Sequence, residues 1–229
     1  MFYDMNYLIF MIPAFILMGI TSWYVRHAYS KWSRVRSSSG LTGVDATRRL
    51  ISVNGLTSLQ IQGTPGQLTD HYDPRNKTLF LSNGVGNGNS VAALAIAAHE
   101  LGHAQQDAED YLPMRFRGFL VPMVNIGSNL GWILILAGLF LNLTGLAWLG
   151  VLFFSGGALF ALATLPVEFD ASARAKRMLA NSGIIQSEEE MRGVRNVLNA
   201  AALTYVAGLV TAVLQLLYYV SLVSGRSRD

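Results

Sequence analysis

The sequence predicts a mainly α integral-membrane protein with about four transmembrane helices and a small α+β domain inserted between the first and the second. Composition is the first observation: only 14% of the 229 residues are charged, whereas soluble domains carry about 25%. The second is that the hydrophobic residues, 52% of the chain, fall mainly in four uncharged stretches. The third is that the longest polar segment lies between the first two stretches.

The four stretches are each close to the ~20 residues that a spanning helix needs. They cover residues 7–25, 121–143, 146–167 and 200–223. Pro13 in the first stretch is compatible with a membrane helix, and Asp4 with no preceding Lys or Arg argues against a cleaved signal peptide. Asn142, Thr144 and Gly145 separate the second and third stretches, which predicts a tight helical hairpin.

Lysine and arginine residues near the span ends predict the orientation of the chain. Three groups lie beside the predicted spans: Arg26, Lys31, Arg34 and Arg36; Arg115 and Arg117; and Arg174, Lys176, Arg177, Arg192 and Arg195. With four spans, all three groups fall on one side, which we expect to be the cytoplasm. Arg226 and Arg228 at the tail then lie outside, a modest departure from this pattern.

Several partners and chemistries are excluded or favoured by composition. The chain has no cysteine, which excludes disulfides, a thiolate nucleophile and a cysteine zinc site. No basic tract with interleaved aromatics is present, so we expect no nucleic-acid partner. The lipid bilayer is an expected partner. Gly- and Ala-rich spans are compatible with a homo-oligomer, although Gly156 and Gly157 equally serve packing within one chain.

The polar segment from about Lys31 to Arg117 is expected to carry the chemistry. Capping residues and alternation predict these elements in it: a helix from Thr42 to Val53, a strand at Leu59–Gln62, a hairpin of 67–72 with 77–82, a flexible loop at 83–89, and a helix capped by Ser90. The loop at 83–89 reads NGVGNGN and is a candidate gate. Farther along, Ser187 is expected to cap a helix whose solvated first turn is 188–190.

Residues 99–103 read HELGH, an HExxH motif on the helix that Ser90 begins. Residues four apart lie on one helix face, so His99 and His103 can bind one metal ion. Glu100 adjoins that face and is the expected general base. Imidazole ligands without thiolates suit Zn²⁺, and cobalt or manganese remain alternatives. Two structural histidines are the plain alternative to a metal site.

The third ligand must come from elsewhere, because a catalytic zinc site usually has three protein ligands. An HExxHxxGxxH arrangement would place glycine at position 106 and a ligand at position 109. The sequence has Gln106 and Glu109 there. A ligand at 109 requires the helix to break, and Gln106 provides no reason for a break, so Glu109 is a weak candidate.

The segment after the third span provides a better candidate. Pro166 is expected at the first turn of a new helix. On that helix Glu168 lies at the edge of an apolar stripe, whereas Asp170 falls on the solvated side, where Arg174 can pair with it. A carboxylate at the end of a membrane helix is costly without a function. Glu168 is therefore the favoured third ligand, with Asp170 and His71 as alternatives.

Three stretches together resemble a known family. Residues 67–74 (QLTDHYDP), 98–104 (AHELGHA) and 166–172 (PVEFDAS) resemble the YugP-type neutral zinc metallopeptidases of bacterial membranes, and the order of segments is similar over nearly the whole chain. The resemblance implies a gluzincin-like site with Glu168 as third ligand. More distantly, the chain is similar to HtpX and Ste24 peptidases, in which an Asp commonly follows the ligand Glu by four residues. Ser172 occupies that position here.

His71 and Tyr72 are the remaining candidates for catalysis. Either side chain can stabilise the oxyanion that forms when a peptide carbonyl is attacked. The alternative is structural, because Asp73-Pro74 can begin a turn at a hairpin edge. That hairpin can also align an extended substrate by strand addition. Asp107, four residues after His103, is a candidate to orient the imidazole of His103.

These observations predict a zinc metalloendopeptidase in a bacterial cell membrane, with its active site at the cytoplasmic surface and a protein or peptide as substrate. The expected organisation is a transmembrane anchor (1–30), a catalytic domain with the HExxH helix (31–118), a transmembrane hairpin (119–167), a helical segment that completes the zinc site (168–199), and a transmembrane helix and tail (200–229). Only eight residues separate Ser90 from His99, too few for an intramembrane site. The alternative is a catalytically silent membrane scaffold.

Overall fold

The computed structural model describes residues 5–226, so the expectations for Asp4 and Arg228 lie outside the described residues. In chain order the elements are α1 (Met5–Trp32), α2 (Gly43–Val53), β1 (Gln60–Thr64), β2 (His71–Asp73), β3 (Thr78–Ser82), α3 (Asn83–Gly86), α4 (Val91–Ala108), α5 (Leu112–Phe140), α6 (Thr144–Asn181) and α7 (Glu188–Arg226). The protein is mainly helical with one small sheet, as predicted.

Four of these helices, α1, α5, α6 and α7, are long and apolar enough to cross a membrane. Each contains all or most of one of the uncharged stretches, which confirms the predicted number of candidate spans. The predicted hairpin is also present, because α5 ends at Phe140 and α6 begins at Thr144. Asn142 makes the reversal with a φ of 56°, a left-handed conformation that asparagine adopts more readily than most residues.

The prediction that Pro166 begins a new helix was wrong, because α6 continues through Pro166 to Asn181. Proline removes one backbone hydrogen bond, but membrane helices tolerate that loss. The residues that follow, Val167, Ala171 and Ala175, are fully buried. Their packing holds the chain helical beyond the proline, a tertiary effect that overrides the local preference.

Contacts within the chain divide it into two compact units. Among the described residues, the first unit contains 5–22, 115–166 and 204–226. Within it α5 and α6 pack closely where glycines replace side chains: a Cβ on Gly131 would lie 2.7 Å from the backbone nitrogen of Phe154, and one on Gly138 would lie 2.4 Å from that of Ala147. Such close approach through small residues is typical of membrane helix pairs.

The second unit contains 23–114 and 167–203, and therefore combines the polar segment with the later part of α6 and the start of α7. Its sheet has the order β1-β3-β2, with β1 parallel and β2 antiparallel to β3. Helix α4 is largely buried in this unit, and its alanines pack among Leu50, Leu79 and Leu179. A separate catalytic domain inserted between the first two spans stays a prediction.

The predicted loop at 83–89 is helical in its first part, because residues 83–86 form the short helix α3. Val85 in α3 is fully buried and packs with Leu81 and Ala97. The glycines serve close packing here: a Cβ on Gly88 would lie 2.2 Å from the carbonyl oxygen of Gly84, and one on Gly43 would lie 2.2 Å from that of Val85. Val85 therefore packs α3 against the core, and a gating role for residues 83–89 stays a prediction.

The start of α7 is anchored by Glu190, which is 5% exposed and not solvated as predicted. Ser187 caps the helix as expected, since its hydroxyl accepts from the Glu190 backbone N–H at 3.1 Å, and the Glu190 carboxylate accepts in return from the Ser187 backbone N–H at 3.2 Å. The carboxylate also accepts from the backbone N–H of Ser38 at 2.6 Å. These donors hold the pKa of Glu190 below its usual value, although burial alone would raise it.

Candidate metal centre

Helix α4 carries two of the predicted ligands. Ser90 begins the helix, because its hydroxyl accepts from the Ala93 backbone N–H at 3.2 Å. The residues that follow are small and buried, so α4 lies inside the second unit with its first three turns packed against core residues. His99 and His103 then lie one turn apart, with ring centroids 4.8 Å apart and planes nearly perpendicular.

Helix α6 brings Glu168 to the two imidazoles. Glu168 Oε2 lies 3.3 Å from His99 Nε2 and 3.6 Å from His103 Nε2, and Glu168 is only 3% exposed. One donor atom from each residue lies within 4.8 Å of the others. Two ligand atoms about 2.0–2.1 Å from one tetrahedral Zn²⁺ are separated by about 3.3 Å. The three residues therefore have the donor types and spacing of a zinc site.

Gly102 permits this convergence. A Cβ at Gly102 would lie 2.6 Å from the carbonyl oxygen of Ala171, closer than real Cβ atoms approach backbone. Glycine at this position of the HExxH motif therefore lets α4 and α6 approach closely. The point of approach lies between the two histidines on α4 and opposite the turn of α6 that carries Glu168 and Ser172. The HExxH motif allows any residue at position 102, but the packing of α4 against α6 requires glycine there.

The outer nitrogen of each imidazole has a partner. Ser172 Oγ lies 3.2 Å from His99 Nδ1, and Gln106 Oε1 lies 3.0 Å from His103 Nδ1. Both Nε2 atoms are thereby directed toward Glu168. Ser172, four residues after Glu168 on α6, therefore places a hydroxyl beside His99.

Ionisation at the centre is set by its carboxylates. Burial lowers the pKa of His103, but the hydrogen bond to Glu168, the charges of Glu100 and Glu168, and the Gln106 carbonyl outweigh this effect, so the pKa is raised above its ordinary value. A metal ion and a proton compete for the same imidazole nitrogen. Metal affinity should therefore fall as the pH falls through the range in which His103 takes up a proton.

Glu100 follows His99 directly on α4 and is 8% exposed. Its carboxylate is close enough to act electrostatically on His103. A buried carboxylate beside two imidazoles is a suitable proton acceptor. It can take a proton from a bound reactant in a site that is partly shielded from solvent.

His71 and Tyr72 lie on β2 and point to opposite faces of the sheet. His71 is exposed, stacks on Phe80 with ring centroids 4.7 Å apart, and lies with Nδ1 2.9 Å from the Thr69 carbonyl oxygen. Tyr72 faces α4, where its hydroxyl donates to Asp107 at 2.7 Å. Asp107 thus contacts Tyr72, while Gln106 provides the partner of His103.

The tyrosine keeps its proton at neutral pH. Burial and the hydrogen bond to the Asp107 carboxylate raise the pKa of Tyr72 well above its ordinary value. A protonated phenol is a hydrogen-bond donor, which an oxyanion role requires. In the described structure, however, that single proton is directed to Asp107.

Asp170 has more than the single solvated partner that was predicted. It pairs with Arg174 as expected, at 2.5 Å from Nε, but the same carboxylate oxygen accepts from the buried Gln106 amide at 2.9 Å. Glu109 lies on the other side of the guanidinium, 2.6 Å from Arg174 Nη1. Gln106 was not predicted as a partner of His103, although its position three residues after His103 puts both on one helix face.

Comparison with known proteins identifies the family of the chain. The family described as "Putative neutral zinc metallopeptidase" matches residues 7–224. The chain belongs to this family. It is also 39% identical over 226 residues, 97% of this chain and 100% of the relative, to "Putative membrane protease YugP" of Bacillus subtilis (strain 168). No solved structure matches the chain significantly.

Family membership agrees with the resemblance found in the sequence and implies zinc as the metal. The donor set fits that metal, since it consists of two imidazole nitrogens and a carboxylate oxygen. A membrane protease as a relative and four apolar helices are together consistent with a multi-pass membrane protein.

Replacing Gly102 with alanine should disrupt the centre. The added methyl group must push α4 and α6 apart, so we expect zinc affinity to fall by about 10-fold or more. The measurement is a competition titration against a chelator of known affinity. Gly156→Ala is the matched control, because that glycine lies within α6 and a Cβ there contacts nothing within 4 Å. Wild-type affinity in Gly102→Ala would contradict the role assigned to the close approach.

Proposed function

We propose that the chain is a zinc metalloendopeptidase that hydrolyses peptide bonds of a protein or peptide substrate at the cytoplasmic surface of a bacterial membrane. The observation that carries the proposal is the convergence of His99, His103 and Glu168 beside a buried carboxylate, Glu100. Membership of a zinc-metallopeptidase family and similarity to a membrane protease support the same chemistry.

Each residue has a distinct task in this mechanism. His99, His103 and Glu168 hold the metal, which when bound supplies Lewis acidity and lowers the pKa of water to about 7. Glu100 accepts a proton from water as the water oxygen attacks the scissile carbonyl carbon. The same carboxyl group then donates that proton to the nitrogen of the leaving amine.

The location at the membrane surface rests on two features of the chain. The metal ligands lie outside the most apolar parts of the long helices: His99 and His103 on α4, and Glu168 just beyond the uncharged stretch that ends at Val167. Lysine and arginine cluster beside the span ends on the same predicted side. By the positive-inside rule that side is the cytoplasm.

Substitution of the two carboxylates should separate metal binding from catalysis. Glu100→Gln should retain about one zinc per chain while peptide hydrolysis falls by about 10²- to 10⁴-fold, because the general base is lost. Glu168→Ala should lose zinc and activity together. Metal analysis and a peptide-cleavage assay on the same purified samples measure both.

Glu189→Gln is the matched control, since Glu189 is an exposed carboxylate distant in sequence from the motif. It should leave zinc content and hydrolysis unchanged. Wild-type zinc content in Glu168→Ala would assign the third ligand elsewhere. Absence of zinc from the wild-type protein would contradict the proposal and favour the scaffold alternative.

The oxyanion role is proposed for Tyr72 or His71. Either residue must exchange its present acceptor, Asp107 or the Thr69 carbonyl, for the developing oxyanion. Removal of the true donor should lower kcat by about 10²- to 10³-fold with a small change in KM. Steady-state kinetics of Tyr72→Phe and His71→Gln measure this. Unchanged kcat in both variants would show that the segment has only a structural role at the edge of the hairpin.

Orientation can be tested because the chain has no cysteine of its own. Arg75→Cys in the turn before β3 should be protected from a membrane-impermeant thiol reagent in intact cells and labelled after lysis. Leu143→Cys, between α5 and α6, should be labelled in intact cells. The reverse pattern would place the proposed active site outside the cytoplasm.

A further inference from the structure

A buried glutamine lies behind the metal-binding face of His103. Gln106 is 0% exposed, and its Oε1 lies 3.0 Å from His103 Nδ1. The other ring nitrogen, Nε2, faces Glu168 at 3.6 Å. The amide therefore contacts the nitrogen of His103 that is not directed at the proposed metal.

The orientation of this amide is fixed by its surroundings. Gln106 Nε2 donates to the Val167 carbonyl oxygen at 2.8 Å and to Asp170 Oδ2 at 2.9 Å. Neither partner has a proton to donate, since one is a carbonyl and the other a carboxylate. Reversing the amide would place its oxygen against two acceptors, so Oε1 must be the atom that faces His103.

Arg174 holds the carboxylate that fixes the amide. Its Nε donates at 2.5 Å to the same Asp170 oxygen that accepts from Gln106, and its Nη1 donates to Glu109 at 2.6 Å. The guanidinium also lies over the Tyr111 ring, 5.7 Å from the centroid. These contacts hold Asp170 as an ionised acceptor in one position.

The consequence for His103 follows from its two nitrogens. Because Gln106 presents an acceptor, Nδ1 of His103 must carry a proton, and in the neutral ring Nε2 then has the free lone pair. We propose that Gln106, held by Asp170 and Arg174, is a positioning residue that fixes the tautomer and ring orientation in which His103 binds the metal through Nε2. This inference rests on the metal centre described under the proposed function.

The two histidines differ in this respect. The partner of His99 Nδ1 is the Ser172 hydroxyl, which either donates or accepts. Ser172 therefore permits either tautomer of His99, whereas the amide behind His103 permits one. Of the two histidines, His103 is therefore the one whose tautomer is fixed by its neighbour.

The test uses the full-length purified protein and Gln106→Met, which keeps the side-chain length and removes the acceptor. Zinc affinity, measured by competition with a chromophoric chelator, should fall by about 10- to 100-fold. In proton NMR of the Co²⁺-loaded protein, wild type should show a slowly exchanging, paramagnetically shifted N–H signal from His103. That signal should be lost in Gln106→Met. Gln105→Met is the matched control, because that amide donates to Glu109 at the surface, and it should retain both properties.

A pair of variants at Asp170 provides a second test if Gln106→Met fails to fold. Asp170→Asn retains an oxygen that accepts from Gln106 and should keep near-wild-type affinity and the N–H signal. Asp170→Leu removes the acceptor and should lower the affinity and broaden the signal. Circular dichroism establishes that each variant is folded.

Three results would overturn the inference. Wild-type affinity with an unchanged N–H signal in a folded Gln106→Met shows that the amide does not position His103. Equal losses in Asp170→Asn and Asp170→Leu show that the charge of Asp170 matters, and not its orientation of the amide. A wild-type protein that binds neither Zn²⁺ nor Co²⁺ contradicts the metal centre itself, a failure distinct from the first two.

Discussion

The close packing of α4 against α6 is the constraint on which the candidate site depends. Two residues on one helix supply imidazoles at the correct spacing, but the third donor belongs to another helix 65 positions beyond His103 in the sequence. Only a backbone approach as close as that of Gly102 to Ala171 lets a short side chain such as glutamate reach both rings. The small residues before the motif on α4 and after Glu168 on α6 also allow this close approach, because they are buried and occupy little space.

Burial of Glu168 makes that packing costly unless its charge has partners. An ionised carboxylate in an apolar environment is destabilising by several kcal/mol when it is unpaired. Here the two imidazoles supply the opposite charge or the donors in the absence of metal, and a bound cation supplies more. The same interactions that stabilise the crossing of α4 and α6 therefore preorganise the donors, so that metal binding requires little movement of these side chains.

Much of this was predictable from local sequence, because the signals concerned are local. Uncharged stretches of about 20 residues predict spans, and HExxH predicts a helix face with two ligands, whatever the rest of the chain does. Pro166 and the NGVGNGN segment misled the prediction, since tertiary packing around Val167 and Val85 overrides what proline and glycine favour locally. The hydrogen bond between Gln106 and Asp170 was not predicted, because it depends on which helix lies opposite α4.

In the proposed centre, His99, His103 and Glu168 bind one zinc ion together. X-ray absorption at the zinc edge of the purified, zinc-loaded protein tests it most directly, since imidazole ligands produce a characteristic scattering pattern and light donors lie at about 2.0–2.2 Å. We expect two imidazoles and oxygen donors in wild type, with one imidazole remaining when either histidine is replaced. A spectrum without imidazole scattering, or one unchanged by replacement of His99 or His103, would contradict it.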